Sequence, residues 1–139
     1  MPLTLEAARE AGALRGLGFV RGDIRTVLRL EGLAVFAIAC AAYSQTGAGW
    51  LLFAALFLAP DLSFLGYLAG RNAGAIAYNA VHSFILPLAL LAAGIFGYPE
   101  LKPYAFIWLA HIGFDRALGY GLKYGSAFGH THLGLVGRS

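Results

Sequence analysis

Four ionisable residues, Asp61, His82, His111 and Asp115, sit inside three apolar segments that are each long enough to cross a bilayer. A carboxylate or imidazole in hydrocarbon costs a few kcal/mol or more on insertion scales, so each such group calls for a nearby partner and a buried role. This requirement restricts the chain to folds that bring polar faces of different spans together. Composition agrees, since 59% of the 139 residues are hydrophobic and 12% are charged, against about 25% charged in an ordinary soluble domain. The length suits one compact domain of about four spans of roughly 20 residues. A separate soluble catalytic domain does not fit beside them.

Organisation follows from hydropathy and turn residues. Residues 1–27 form a basic arm in which Leu, Ala and Val alternate with charges, a pattern that permits a short interfacial helix. Spans are expected at 28–44, 50–68, 73–96 and 101–122, joined by short Gly-, Pro- and polar-rich turns, with a C-terminal tail over 125–139. The expected fold is therefore an all-α transmembrane four-helix bundle, up-down-up-down. Arg9, Arg15, Arg21, Arg25 and Arg29 precede or open the first span, Arg71 lies in the second loop, and Arg116, Lys123 and Arg138 lie towards the C-terminus, whereas the first loop has no basic residue and the third only Lys102. Basic residues collect on the cytoplasmic side, so both termini are expected there, in a bacterial inner membrane. The formal charge of +3 is read the same way, with no nucleic-acid partner. About 27 mixed residues precede the first apolar run, which argues against a cleaved secretory signal. Pro60 and Pro87 fall inside spans and predict local kinks. Small-residue faces would let a second copy pack as readily as a neighbouring helix, and membrane lipid is the other expected partner.

Depth can be counted from the cytoplasmic end of each span. Asp61, His82, Asp115 and His111 lie about seven, nine, seven and eleven residues in, roughly 10–17 Å deep at a rise of about 1.5 Å per residue. They form one layer. His111 and Asp115, four apart, share a helical face that Trp108 continues, and Asn79, His82 and Ser83 make a polar face on the third span. Two imidazoles and two carboxylates suit a divalent ion such as zinc, manganese or iron. His132, in Gly129-His130-Thr131-His132, could fold back as a further ligand, and Glu31 or Asp115 could act as base. Arg71, Asn79, Arg116, Tyr120 and Lys123 are the expected contacts to an amphiphilic substrate. Other uses of the same residues are a hydrogen-bonded His–Asp pair that sets helix register, snorkelling basic side chains, and a proton or ion path without metal.

Arg29-Leu30-Glu31-Gly32, Ala59-Pro60-Asp61-Leu62-Ser63, Asn79-Ala80-Val81-His82 and the run from Trp108 to Tyr124 carry a resemblance. On them the chain resembles a bacterial family of small integral membrane proteins, the domain-of-unknown-function family four-two-six-zero, over about residues 29–134. The resemblance implies a membrane-embedded domain and no named activity. A looser similarity is to inner-membrane metal-dependent hydrolases, including the LexA-associated type, which carry Pro-Asp, then His-Arg-x-x-Thr-His-Ser, then His-x-x-x-Asp. Pro60-Asp61, His82-Ser83 and His111 with Asp115 occur in that order. Ala77 stands where the first His of the middle motif would fall and Val81 where the Thr would, so one ligand is missing or replaced. What this similarity implies is metal-dependent hydrolysis.

Overall fold

The computed structural model describes residue 20, residues 22–126 and residues 128–135. The expected interfacial helix falls mostly on residues 1–19 and 21, outside the described residues. From Gly22 the chain is helical without interruption to Ser44, as α1, so the first span begins six residues before the expected Leu28. The second is α2 (Trp50–Leu56), a two-residue turn, and a 3-10 helix over Ala59–Ala69. The third is α3 (Arg71–His82) and α4 (Ile85–Phe96), and a short 3-10 turn leads into α5 (Lys102–Leu118). A two-stranded antiparallel hairpin, β1 (His130–Thr131) and β2 (Gly134–Leu135), follows.

Three of these rods, Gly22–Ser44, Trp50–Ala69 and Arg71–Phe96, are long and apolar enough to cross a membrane, yet no more than 17% of their apolar windows is buried. Leu51, Leu68 and Phe96 are each more than four-fifths exposed. Apolar surface on that scale suits hydrocarbon rather than water. α5 is the inner helix. Its Ala105, Ile107, Leu109, Ala110, His111, Ile112, Gly113 and Arg116 are all buried, and both α1 and α4 pack on it.

Contact between α1 and α5 is backbone against backbone. A Cβ at Gly113 would stand 2.7 Å from the Phe36 amide nitrogen and 2.8 Å from the Gly32 carbonyl oxygen, and one at Gly32 would overlap Arg116 Cβ. Small residues permit this approach, which gains dispersion where lipid offers no hydrophobic drive between helices. It also fixes the height of α5, because Gly113 lies between His111 and Asp115.

Both prolines break their rods. The Pro87 ring has no N–H and would clash with the carbonyl of Ser83, so α3 stops at His82 and Ser83 turns extended, with φ −85 and ψ 154. Pro60 sits in the first turn of the 3-10 helix, just past the turn that ends α2. The expected kinks are thus full interruptions, and each lies beside a polar residue of the central layer.

The helix of the fourth segment, α5, is shorter than the expected 101–122. It ends at Leu118 because Gly119 adopts φ +93, where Gly119 N–H donates to the Arg116 carbonyl (3.0 Å) and Tyr120 N–H to the Asp115 carbonyl (2.8 Å). That is a Schellman closure, which a glycine in the left-handed region favours. Beyond it the chain folds back as a cap. Leu122 and Tyr124 pair with the hairpin through His132 N–H to the Leu122 carbonyl (3.0 Å) and Tyr124 N–H to the His130 carbonyl (2.8 Å).

Candidate metal centre

Asp61 comes from the 3-10 helix, His82 from the last turn of α3, and His111 and Asp115 from consecutive turns of α5. Their polar ends meet. His82 Nε2 lies 3.3 Å from Asp61 Oδ1, 3.6 Å from Asp115 Oδ2 and 3.1 Å from His111 Nε2. His111 Nε2 lies 3.4 Å from each of the same two carboxylate oxygens. One ligand atom from each of the four falls within 4.8 Å of every other. The imidazoles are sealed, with side chains 0% and 2% exposed, whereas the Asp115 and Asp61 side chains are 14% and 37% exposed. Asp61 therefore marks the open side.

The hydrogen-bond inventory shows what is missing among these four. His82 Nδ1–H donates to the Tyr78 carbonyl (3.0 Å), since a carbonyl can only accept. In the neutral ring Nε2 then holds a lone pair, and it faces two carboxylate oxygens and a second imidazole nitrogen. A single proton satisfies one of these contacts at a time. A cation at the centre satisfies all of them, and four ligands about 2.0–2.1 Å from a tetrahedral zinc would stand about 3.3–3.4 Å apart. The five distances above, 3.1 to 3.6 Å, bracket that spacing. His111 Nδ1 is buried and makes no hydrogen bond.

The interruption of the third rod is tied down by α5. An unbroken helix would pair the Val81 and His82 carbonyls with the amides of residues 85 and 86. Here Trp108 Nε1–H donates to Val81 (2.7 Å) and an Arg116 guanidinium N–H to His82 (2.8 Å). The ring of Tyr78 stacks on that of His82 with centroids 3.7 Å apart. Backbone, second ring nitrogen and ring face of His82 are thereby all constrained, the supporting shell that metal-binding histidines commonly have. Reading the sequence missed Tyr78, although its position four residues before His82 places both on one face of α3.

Of the remaining expected site residues, Asn79, Lys123, Arg116, Arg71 and His132 bond to backbone groups. Asn79 Nδ2–H donates to the Lys123 carbonyl (2.8 Å) and its Oδ1 accepts from the Lys123 amide (2.6 Å), so the side chain stands in for a strand partner. The Lys123 ammonium donates to the Phe128 carbonyl (2.9 Å) and lies 3.8 Å from the Phe128 ring centroid and 5.0 Å from that of Tyr78. Burial lowers its pKa, with the Asp115 charge opposing. Arg116 donates to the Tyr120 carbonyl (2.8 Å), and Arg71 to that of Ser126 (3.3 Å). His132 is outside the cluster, its Nδ1 accepting from the Leu122 amide (2.8 Å). Burial and the nearby Arg116 charge push its pKa below 6.5. Glu31 lies outside the cluster too. With Ser83, Arg116 and His132 it lines a cavity of about 450 Å³ between α1, the interruption and the cap.

The profile of a family described as Domain of unknown function (DUF4260) matches residues 25–136. The chain belongs to that family. No curated protein and no solved structure matches it. The looser similarity to metal-dependent hydrolases therefore rests on the order of Pro60-Asp61, His82-Ser83 and His111 with Asp115 alone. The match takes in all four residues of the cluster and the whole described cap.

Proposed function

We propose that this is a four-span bacterial inner-membrane protein, up-down-up-down with both termini cytoplasmic, in which Asp61, His82, His111 and Asp115 hold one divalent ion used to hydrolyse an amphiphilic substrate. The observation that carries the reading is the convergence of four electron-pair donors, one ligand atom from each residue within 4.8 Å of every other. Zinc suits the distances and the N₂O₂ donor set, and manganese or iron suits the donors with added water. Held by these four residues, such an ion would supply Lewis-acid chemistry, lowering the pKa of water and polarising an ester or phosphoryl oxygen.

The protein's own groups take the other roles. Tyr78 and Arg116 orient His82. The partly exposed Asp61 carboxylate borders the entry. The second oxygen of Asp115 is the base, and Glu31, in the neighbouring cavity with Arg116, is the alternative. Arg116, an expected substrate contact, lines that cavity, where it could meet a polar head group. Membrane lipid is the partner that the exposed apolar faces favour, and a second copy could pack on them too.

Asp115→Asn separates this reading from a structural one. Purified and reconstituted with zinc, manganese or iron, the wild type should cleave ester or phosphoester amphiphiles. The variant should stay folded in detergent and lose turnover, and retention of both metal and activity would refute the proposal. The His82–His111 contact at 3.1 Å also suits a shared proton, the basis of a non-catalytic proton-relay reading. That reading predicts no bound metal.

A further inference from the structure

A cavity of about 270 Å³ is lined by sequence neighbours of the Asp/His cluster residues and by none of the four themselves. Pro60 and Val81, which immediately precede Asp61 and His82, form one wall, and Ile107 and Trp108, one turn before His111, form another. Ala59 and Tyr104 at its edge are exposed. Trp108 Nε1–H is already committed to the Val81 carbonyl, which leaves the Tyr104 hydroxyl as the side-chain polar group of the walls named here. Leu56, Ala59, Pro60 and Val81 belong to rods long and apolar enough to cross a membrane, so hydrocarbon rather than water is the expected surrounding on that side.

We infer that this groove holds a single acyl chain of a membrane amphiphile whose polar head reaches the Asp/His centre, an inference that rests on the metal-centre reading above. Contiguity argues for it, since each ligand-bearing segment contributes a wall residue within about one turn of its ligand. Direction argues for it as well. With the termini cytoplasmic, residues 59, 60, 104, 107 and 108 lie deeper in the bilayer than Asp61 and His111, so a chain entering from the cytoplasmic leaflet would place its head above and its tail below. No charged side chain lines the groove, so a charged or sugar-like occupant would be desolvated there without a partner.

Trp50→Phe leaves Trp108 as the sole tryptophan and therefore a reporter inside the groove. The probe is a lysophosphatidate with a dibrominated stearoyl chain, titrated into nanodiscs of unbrominated phosphatidylcholine that carry this variant. The expected result is quenching of Trp108 that saturates and removes most of the emission, and that Ala59→Leu, which fills the exposed rim, largely abolishes. Quenching that rises linearly with brominated chain and is equal in both proteins would mean bulk lipid contact only and would overturn the inference. Metal content measured on the same samples keeps the two claims apart. Saturable quenching without metal would defeat the hydrolase reading and leave the chain site standing, whereas metal with linear quenching would do the reverse.

Discussion

Two polar regions of this molecule use similar residue types and finish differently. In the cap region Asn79, Arg116, Lys123 and His132 are each bonded to a backbone carbonyl or amide. In the Asp/His centre four side chains point at one another, and His82 reaches the backbone through the nitrogen that faces away. A buried polar group left without a partner costs about 1–3 kcal/mol, more when charged. In the cap Asn79, Arg116, Lys123 and His132 meet that demand with backbone groups of the chain. Asp61, His82, His111 and Asp115 instead turn toward one another, and that arrangement is what supports the proposal of an ion held there.

The sharpest way to break the contrast is to remove one member of each region. His111→Ala should abolish metal retention in purified protein, an affinity loss of at least about 100-fold, as expected when one of few protein ligands is removed. Arg71→Ala, in the cap region, should leave metal content unchanged. Metal lost equally from both, with both folded, would erase the distinction.

Next in size is the support that both regions share. Gly113→Leu pushes a side chain into the α1 backbone and should cost about 1–3 kcal/mol or more by overpacking, read as a lower unfolding temperature in detergent and loss of metal together. Unchanged stability would mean that α1 and α5 do not meet as described.

Asn79→Ala removes both bonds to the Lys123 backbone and should destabilise the cap by about 1–3 kcal/mol. Hydrogen exchange at residues 122–124 should rise while the centre keeps its metal. Faster exchange confined to the centre would contradict the division.

The smallest effect is a pH dependence. His132 is held neutral in the folded cap, below its ordinary 6.5. The unfolded segment therefore binds more protons as the pH drops below 6.5, so the cap loosens on acidification and gains nothing from more alkaline conditions. Protection of the Leu122 amide should fall from pH 7 to 5 in wild type and show no such fall in His132→Asn.

Much of the centre was legible in the sequence because two regularities carry it. Hydropathy placed the apolar rods to within a few residues, and counting depth put Asp61, His82, His111 and Asp115 at one height. What the sequence concealed lacks a period. Pro60 and Pro87 announced kinks, but not that Trp108 and Arg116 would take the two freed carbonyls. Gly119 stands in a run of Tyr and Gly that reads equally well as the end of a span. The tail became a hairpin cap through bonds such as Asn79 to Lys123, 44 positions apart, and no local pattern encodes such a pairing. Residues expected to touch substrate, Asn79 and Lys123 above all, prove to be engaged with the backbone of the cap. A polar side chain near a pocket reads the same in sequence whether it holds a ligand or a loop.

The most direct test of the account is the metal content of the detergent-purified full-length protein by elemental analysis, with His111→Ala beside it. Near-stoichiometric zinc, manganese or iron in the wild type, lost in the variant, is the predicted result. Metal-free wild type that also fails to take up all three ions on reconstitution would contradict the metal centre and leave the His–Asp cluster as a proton-sharing or register-setting layer.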